Sequence, residues 1–173
     1  MKFFDVITKR RTVRAFETRE VEDEKLAKIL ECINAAPSAG NMQGYDVVVV
    51  KSPKTKHTLA QASLQQSHVE QAPVVLAFFQ SQDRSGARYG QRGRDLYSLQ
   101  DATIACAYAQ LAATALSLGT CWVGAFEEEP VARVLNAKEG FIPVAMLSIG
   151  YPAESPPPTS RRDLRDLVKW ETL

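Results

Sequence analysis

The sequence predicts an α+β fold in which short strands pack against amphipathic helices. Apolar residues recur at helical spacing in three segments, at residues 2–11, 22–35 and 99–118. Short runs of β-branched and other apolar residues occur elsewhere, at 46–50, 73–79, 120–124 and 144–149. The 173 residues suit a single domain over 1–173, and a chain of this length can enclose a core.

Two amphipathic helices are predicted in the first 35 residues. The first has an apolar stripe made by Phe3, Phe4 and Ile7. The second begins with acidic residues at 22–24, which suit the positive end of the helix dipole, and it ends before Pro37.

The next elements are a strand, a helix and a second strand. Residues 46–50 predict the first strand, after which Ser52 and Pro53 provide an N-cap and a proline at the first helical position. We expect that helix to reach about Gln66. Residues 73–79 (PVVLAFF) are apolar throughout, which predicts a strand covered on both faces.

The segment at 80–97 differs from its surroundings, because it is polar and carries three glycines and four arginines. We expect a mobile surface segment with short structure at most. Long segments of this kind often act as lids or binding loops, and some are only linkers.

Residues 99–118 form the longest predicted helix, which is rich in alanine and apolar on almost every side. A helix that is apolar all round is buried all round, and in a chain this short that favours burial against a second subunit. Gly119 is expected to end this helix in the left-handed conformation.

The C-terminal part begins with a short buried strand at 120–124, and Glu129 and Pro130 then open a helix to Leu135. The strand at 144–149 is followed by an extended tail at 152–173, whose first residues are rich in proline. A tail that leaves the core in this way is expected to reach another surface.

Composition excludes several functional classes. The net charge of +1 gives no basic field for nucleic acid, and no apolar run approaches the length of a membrane span. The N-terminus lacks a signal-peptide pattern, so we expect a cytoplasmic protein. Cys32, Cys106 and Cys121 lack metal-site spacing and are interpreted as reduced thiols, with a Cys–His nucleophilic site as an unsupported alternative.

Two arginine clusters at opposite ends of the chain could bind an anion. Arg10, Arg11 and Arg14 surround Thr12 in the first cluster, and Arg161 and Arg162 form the second. Guanidinium groups match phosphate oxygens bidentately, and a threonine hydroxyl adds a donor. The alternative for the first cluster is simple complementation of a helix C-terminus.

Two other segments could meet a flat heterocycle. The loop at 37–43 offers hydroxyl and amide groups, although it also has the features of an ordinary helix stop. Residues 119–124 have glycines at both ends that allow close backbone approach, although they also suit a capped helix leading into a strand. No catalytic acid–base pair, metal motif or dinucleotide fingerprint is present.

These segments together, in this order, resemble the FMN-dependent nitroreductase family over nearly the whole chain. The stretch from Arg10 to Phe16 looks like the family pattern RRSxRxF, and that from Ala36 to Tyr45 looks like APSxxNxQPW. Residues 118–124 (LGTCWVG) are a close match to GLGTCWIG. Shorter matches occur at 72–75, 101–102, 149–152 and 161–164.

The resemblance implies a three-layer α-β-α sandwich with a mostly antiparallel sheet. It also implies an interlocked homodimer with FMN at the subunit interface and a C-terminal tail that reaches the partner. Arg10, Arg11 and Thr12 would hold the phosphate and ribityl side with Arg161 or Arg162, and Arg14 would lie at the pyrimidine edge. The partner subunit would contribute Pro37, Ser38, Ala39, Asn41 and Gln43, whereas the strand residues Cys121, Trp122, Val123 and Gly124 would line the ring near N5.

The implied function is NAD(P)H-dependent reduction of nitroaromatic, quinone or similar acceptors, by ping-pong hydride transfer through flavin N5. NADH or NADPH would be the donor, and no side chain would be catalytic in its own right. The alternatives are a non-catalytic FMN-binding sensor or carrier, and a dehalogenating or flavin-modifying branch of the same fold.

Three departures from the family pattern affect these expectations. Thr12 replaces serine and keeps the hydroxyl, whereas Gly44 and Tyr45 replace Pro-Trp, so we expect a looser turn. Thr159 stands where many members have a basic residue, which would leave the phosphate fewer cations. Residues 80–97, on the substrate side in the family, match least well.

Overall fold

A computed structural model describes residues 1–173 and contains one four-stranded sheet, which confirms the α+β prediction. The strand order is β1-β2-β4-β3 and all neighbouring pairs are antiparallel. All four predicted strands are present. Their bounds are β1 Tyr45–Val50, β2 Val74–Ser81, β3 Gly119–Val123 and β4 Phe141–Gly150.

Eight helices accompany the sheet, and the first two confirm the predictions closely. A 3₁₀ turn covers Ala39–Asn41, and a π-helical turn covers Gly93–Tyr97. The helices are α1 Phe3–Lys9, α2 Asp23–Asn34, α3 Pro53–Ala62, α4 Ser67–Gln71, α5 Gln82–Arg92, α6 Ser98–Ala115, α7 Glu128–Val134 and α8 Leu164–Leu167.

The sheet is the middle of three layers. Every residue of β2 is buried, and its side chains alternate between two cores. Val74, Leu76 and Phe78 belong to the α6-side core, where α2 and α6 pack on the sheet. The β2 residues whose side chains lie on the other face of the sheet belong to a second core, the α3-side core, which lies beneath α3, α4 and α7. The predicted three-layer sandwich and the strand covered on both faces are thus confirmed.

The helix that begins after Ser52 is shorter than predicted. The Ser52 side chain does cap it, accepting a hydrogen bond from the Thr55 N–H at 3.4 Å. However, α3 ends at Ala62, because Leu64 and Gln65 adopt φ values of +56° and +59°. The chain turns there and starts the separate helix α4.

Residues 80–97 have far more regular structure than we expected, so that prediction was wrong. They form the end of β2, helix α5, which kinks at Gly90, and a π-helical turn that runs directly into α6. The physical reason is tertiary packing. Arg84 and Arg88 donate hydrogen bonds to the carbonyls of Gln43 and Gly40, at 3.0 and 3.3 Å.

The end of α6 also differs from the prediction. Ser117, not Gly119, takes the left-handed conformation, with φ +63°. Gly119 is the first residue of β3, and a Cβ there would lie 3.0 Å from the side chain of Val13. Glycine is therefore needed at this position for close packing, not for a helix cap.

Helix α6 is not buried on every side within one chain. Its inner face contributes Ala102, Ala105 and Ala109 to the α6-side core. Its outer face leaves Leu99 and Tyr108 exposed, and Tyr108 keeps 39% of its surface. Burial of that face by a second subunit remains a prediction.

Candidate functional site

The first arginine cluster lies between the sheet edge and the start of the tail. Thr12 forms a parallel bridge with Thr120 of β3, and the Val13 N–H donates to the Thr120 carbonyl at 2.9 Å. Slightly further on, Phe16 pairs with Pro152 in an antiparallel bridge. Because residues 12–16 are held on both sides, the two ends of the chain are brought together.

Glu154 holds the tail against residues 14–15 and was not singled out from the sequence. Its carboxylate accepts hydrogen bonds from the backbone N–H groups of Arg14 and Ala15. A backbone N–H paired with an ionised acceptor makes one of the stronger hydrogen bonds in proteins. A lone acid in a proline-rich segment carries no sequence signal of such a role.

Both arginine clusters contribute to one cleft of about 400 Å³. None of its four arginines forms an ion pair with a carboxylate. The cleft is thus strongly positive and suits a phosphate dianion. Its lining comprises Ile7, Thr8, Arg10, Arg11, Thr12, Arg14, Pro156, Pro157, Pro158, Thr159 and Arg161.

Arg161 and Arg162 are adjacent in the tail but have different surroundings. Arg161 lines the cleft and donates a hydrogen bond to the Thr159 hydroxyl at 2.9 Å, whereas Arg162 is not among the lining residues. Thr159 therefore contributes a hydroxyl where many family members would place a charge.

Strand β3 borders this region mainly through its backbone. The side chains of Cys121 and Val123 are only 2% and 1% exposed, and Trp122 packs partly against the α6-side core. Gly124 follows the strand and is exposed. Burial raises the pKa of Cys121, so this thiol stays protonated and is a poor nucleophile.

The loop at 37–43 does not join the arginine cleft within one chain. Pro37, Ser38 and Ala39 line a different cleft of about 660 Å³, together with Tyr97 and residues of α6. The two clefts have no residue in common. Within one chain, the residues predicted from the sequence thus line two separate clefts.

Asp101 organises that loop, a role that the sequence did not reveal. Its carboxylate is 1% exposed and accepts hydrogen bonds from the N–H groups of Ala39, at 2.9 Å, and Gly44, at 3.1 Å. Across the loop, the Gln43 N–H donates to the Ser38 hydroxyl at 2.9 Å. An acid inside an alanine-rich helix was the only available signal.

The turn at Gly44 is not loose, so that expectation was wrong. The Gly44 N–H donates to Asp101, and its carbonyl accepts a hydrogen bond from the Ser81 N–H at 2.8 Å. A Cβ at this position would lie 1.9 Å from the Ser85 hydroxyl oxygen. Glycine therefore lets α5 pack closely, and proline could not supply the N–H.

His68 is a third polar residue that sequence reasoning missed. It lies on α4, is 5% exposed, and its buried Nε2 has no hydrogen-bond partner. Burial lowers the pKa of His68, and the nearby Arg14 guanidinium lowers it further. The imidazole is therefore held neutral beside the positive cleft.

Two other kinds of feature are not found in the structure. No helix is both long and apolar enough to cross a membrane. No three His, Cys, Asp or Glu side chains come together in a way that could hold a metal ion.

Several known proteins are similar to this chain in sequence or fold. A curated relative described as NADH dehydrogenase from Thermus thermophilus is 31% identical, with 94% of this chain and 92% of the relative covered. A protein described as FMN reductase [NAD(P)H] from Bacillus subtilis is 28% identical, with coverage of 86% and 65%. The solved structure of B. megaterium NfrA2 superposes with a TM-score of 0.93 at 24% identity, over 100% of this chain and 75% of that one, which supports the fold.

The sequence pattern of the Nitroreductase family matches residues 7–71 and 64–151. These ranges include the first arginine cluster, the loop at 37–43 and strand β3. The fold, the motifs and the relatives agree, and the chain belongs to the nitroreductase family.

Proposed function

We propose that this chain is an FMN-dependent NAD(P)H oxidoreductase that works as a homodimer. The observation that carries the proposal is the cleft in which Arg10, Arg11, Arg14 and Arg161 converge from opposite ends of the chain without a carboxylate partner. Relatives described as FMN reductase and NADH dehydrogenase support the same activity.

The residues present fit the phosphate of FMN. Four unpaired guanidinium groups offer more positive charge than a phosphate dianion requires, and Thr12 and Thr159 add hydroxyl groups in the same cleft. The Glu154 carboxylate, which accepts hydrogen bonds from the backbone of Arg14 and Ala15, offsets part of this charge. Clustering the remaining like charges is unfavourable in the empty protein, and an anionic ligand relieves that repulsion. The ligand therefore stabilises the folded cleft as well as occupying it.

FMN, when bound, supplies the hydride and electron transfer, whereas the protein supplies binding, orientation and electrostatics. Arg14 has no acid partner and would favour negative charge at the pyrimidine edge of the ring. Strand β3 would present backbone groups, because the side chains of Cys121 and Val123 point into the core. Because the flavin would supply the chemistry and the protein only binding and electrostatics, the site needs no acid–base pair.

A second copy of the chain would complete the site. The loop at 37–43 lines its own cleft, which is what we expect if it faces the flavin of the neighbouring subunit. Apolar side chains are also exposed along α1 and α6, where Phe3 and Tyr108 border a concave apolar surface. The exposed tail at 152–173 would extend over the partner.

The electron acceptor is proposed to be a nitroaromatic, a quinone or a similar planar compound. The alternatives are a sensor or carrier that holds FMN without turnover, and a dehalogenating or flavin-modifying enzyme of the same fold. Sustained NAD(P)H consumption in the presence of an acceptor separates the proposed enzyme from a sensor or carrier.

The test begins with an absorption spectrum of the purified protein, before and after addition of excess FMN and desalting. We expect the two flavin bands to be retained, and anaerobic NADH or NADPH to bleach them. Steady turnover with a quinone or nitroaromatic should follow. If flavin binds and neither nucleotide bleaches it, the oxidoreductase proposal fails. If no flavin is retained, the FMN assignment of the cleft fails.

A further inference from the structure

Helix α5 and the π-helical turn carry more positive than negative charge. Residues 82–97 contain Arg84, Arg88, Arg92 and Arg94 but only two acids, Asp83 and Asp95. Two of the arginines are neutralised, because Arg84 pairs with Asp46 and Arg94 pairs with Asp83. Arg88 and Arg92 have no carboxylate partner.

These two unpaired arginines flank a pair of tyrosines, and we name the four residues Arg88, Tyr89, Arg92 and Tyr97 the Arg–Tyr cluster. The rings of Tyr89 and Tyr97 meet edge to face, with centroids 5.1 Å apart. Arg88 lies 5.4 Å from the centre of the Tyr89 ring, and Arg92 lies 5.5 Å from that of Tyr97. Arg92 also donates a hydrogen bond to the Tyr97 hydroxyl at 3.1 Å.

The Arg–Tyr cluster is placed beside the loop proposed to face the flavin. Arg88 donates to the Gly40 carbonyl, and the Tyr89 hydroxyl occupies the space where a Cβ on Gly40 would be. Tyr97 lines the same cleft as Pro37 and Ser38. The cluster therefore borders this loop and the cleft that the loop lines.

The chemistry of the cluster suits a phosphomonoester attached to an aromatic base. Two guanidinium groups can bind the oxygens of one phosphate, whose charge approaches −2 at neutral pH. Tyrosine rings provide apolar area at low conformational cost, against which a purine can pack. NADPH carries such a phosphate beside its adenine, whereas NADH has only a hydroxyl there.

We propose that the Arg–Tyr cluster recognises the 2′-phosphate of NADPH, so that the enzyme prefers NADPH to NADH. This inference rests on the proposed function and adds the choice of donor to it. The diphosphate is common to both nucleotides, so only a contact with the 2′-phosphate can discriminate between them.

The kinetic test compares kcat/KM for NADPH and NADH in the FMN-loaded enzyme and in Arg88→Gln, Arg92→Gln and the double variant. Loss of one charged contact should lower kcat/KM for NADPH by about tenfold or more. The change for NADH should stay below about twofold in Arg92→Gln, whereas Arg88→Gln is judged by its ratio of NADPH to NADH activity, because Arg88 also supports the loop through Gly40. Arg133→Gln is the matched control, because Arg133 is an exposed arginine on α7, across the sheet.

A binding test is independent of turnover. Calorimetric titration of the FMN-loaded protein with 2′-AMP and with adenosine should show binding of 2′-AMP that is weakened by about tenfold or more in Arg92→Gln. We expect adenosine, which lacks the phosphate, to bind more weakly than 2′-AMP and to be insensitive to this change. The dissociation constant of FMN is measured in each variant, because Arg88 also supports the loop through Gly40. Arg92 makes no such bond.

Three results would overturn the proposal. Equal losses with NADPH and NADH would mean that the arginines act on the diphosphate or on general charge. Equal use of both nucleotides by the unmodified enzyme would reject the inference while leaving the oxidoreductase function intact. Failure of 2′-AMP to bind would reject the cluster as a phosphate site. A different outcome, in which neither nucleotide reduces the flavin, would mean that the proposed oxidoreductase function itself fails.

Discussion

Two adjacent arginines in the tail have different surroundings. Arg161 lines the positive cleft with Arg10 and Arg14, whereas Arg162 does not. Arg161→Ala should therefore weaken FMN binding by about 1.5–3 kcal/mol, the scale of a hydrogen bond to a charged group. Arg162→Ala serves as the control and should leave the affinity unchanged, as measured by flavin fluorescence titration. Equal effects of the two substitutions would contradict this placement.

Asp101 provides a second prediction for a single residue. In the unmodified protein, each oxygen of the Asp101 carboxylate accepts a hydrogen bond from a backbone N–H. In Asp101→Asn, the side-chain NH₂ group would replace one of these oxygens and would face a backbone N–H, which is also a donor. A buried donor left without an acceptor costs about 1–3 kcal/mol, so we expect a lower free energy of unfolding by that amount. Urea denaturation measures it, with exposed Gln100→Ala on the same helix as the control. A change below about 0.5 kcal/mol would argue against the role of Asp101.

The neutral state of His68 makes stability depend on pH. Its folded-state pKa is lowered, mainly by burial and also by Arg14, whereas an unfolded histidine titrates near pH 6.5. The unfolded state therefore binds more protons as the pH falls below about 6.5, and stability drops until the folded-state pKa is passed. His68→Gln should reduce this drop below about pH 6.5. An unchanged slope of unfolding free energy against pH would contradict the prediction.

At the scale of elements, α5 and its π-helical turn depend on two glycines in different ways. A Cβ on Gly93 would lie 2.4 Å from the backbone carbonyl oxygen of Ser85, which cannot move easily. A Cβ on Gly86 would meet only the flexible side chain of Arg94, at 2.7 Å.

Gly93→Ala should therefore destabilise the protein by about 1–3 kcal/mol through overpacking. Gly86→Ala, the comparison variant, should destabilise the protein less than Gly93→Ala, because alanine favours the helix and the Arg94 side chain can shift more easily than a backbone carbonyl. Urea unfolding curves of the two variants measure this difference. Equal stability in both variants would show that residues 82–97 do not pack as described.

At the scale of the whole molecule, the apolar surface along α1 and α6 predicts a dimer. Tyr108 lines this surface together with Leu111 and Phe3. Tyr108→Glu places a charge in the proposed interface, so we expect a shift from dimer to monomer in sedimentation analysis and loss of bound flavin. Gln61→Glu, at an exposed position on α3, should keep the dimer. A monomeric unmodified protein would refute the dimer outright.

Local pattern determined much of this protein. The uninterrupted apolar run at 73–79, the helical spacing at 22–35 and the cap at Ser52 could all be recognised in the sequence, because each depends on residues close together in the chain. The resemblance then predicted that the arginines, the loop and β3 form one site, which stays a prediction. The structure shows that Arg10 and Arg161 line one cleft.

Only the tertiary structure decided the rest, because the deciding contacts join residues far apart in the chain. The polar composition of 80–97 predicted little structure, yet bonds from Arg84 and Arg88 to the loop hold it as a helix. Likewise, Asp101 and Gly44 are 57 residues apart, so nothing local showed that one fixes the other. Short-range periodicity fixes where elements form, whereas packing between distant segments decides which polar groups meet and what they can bind.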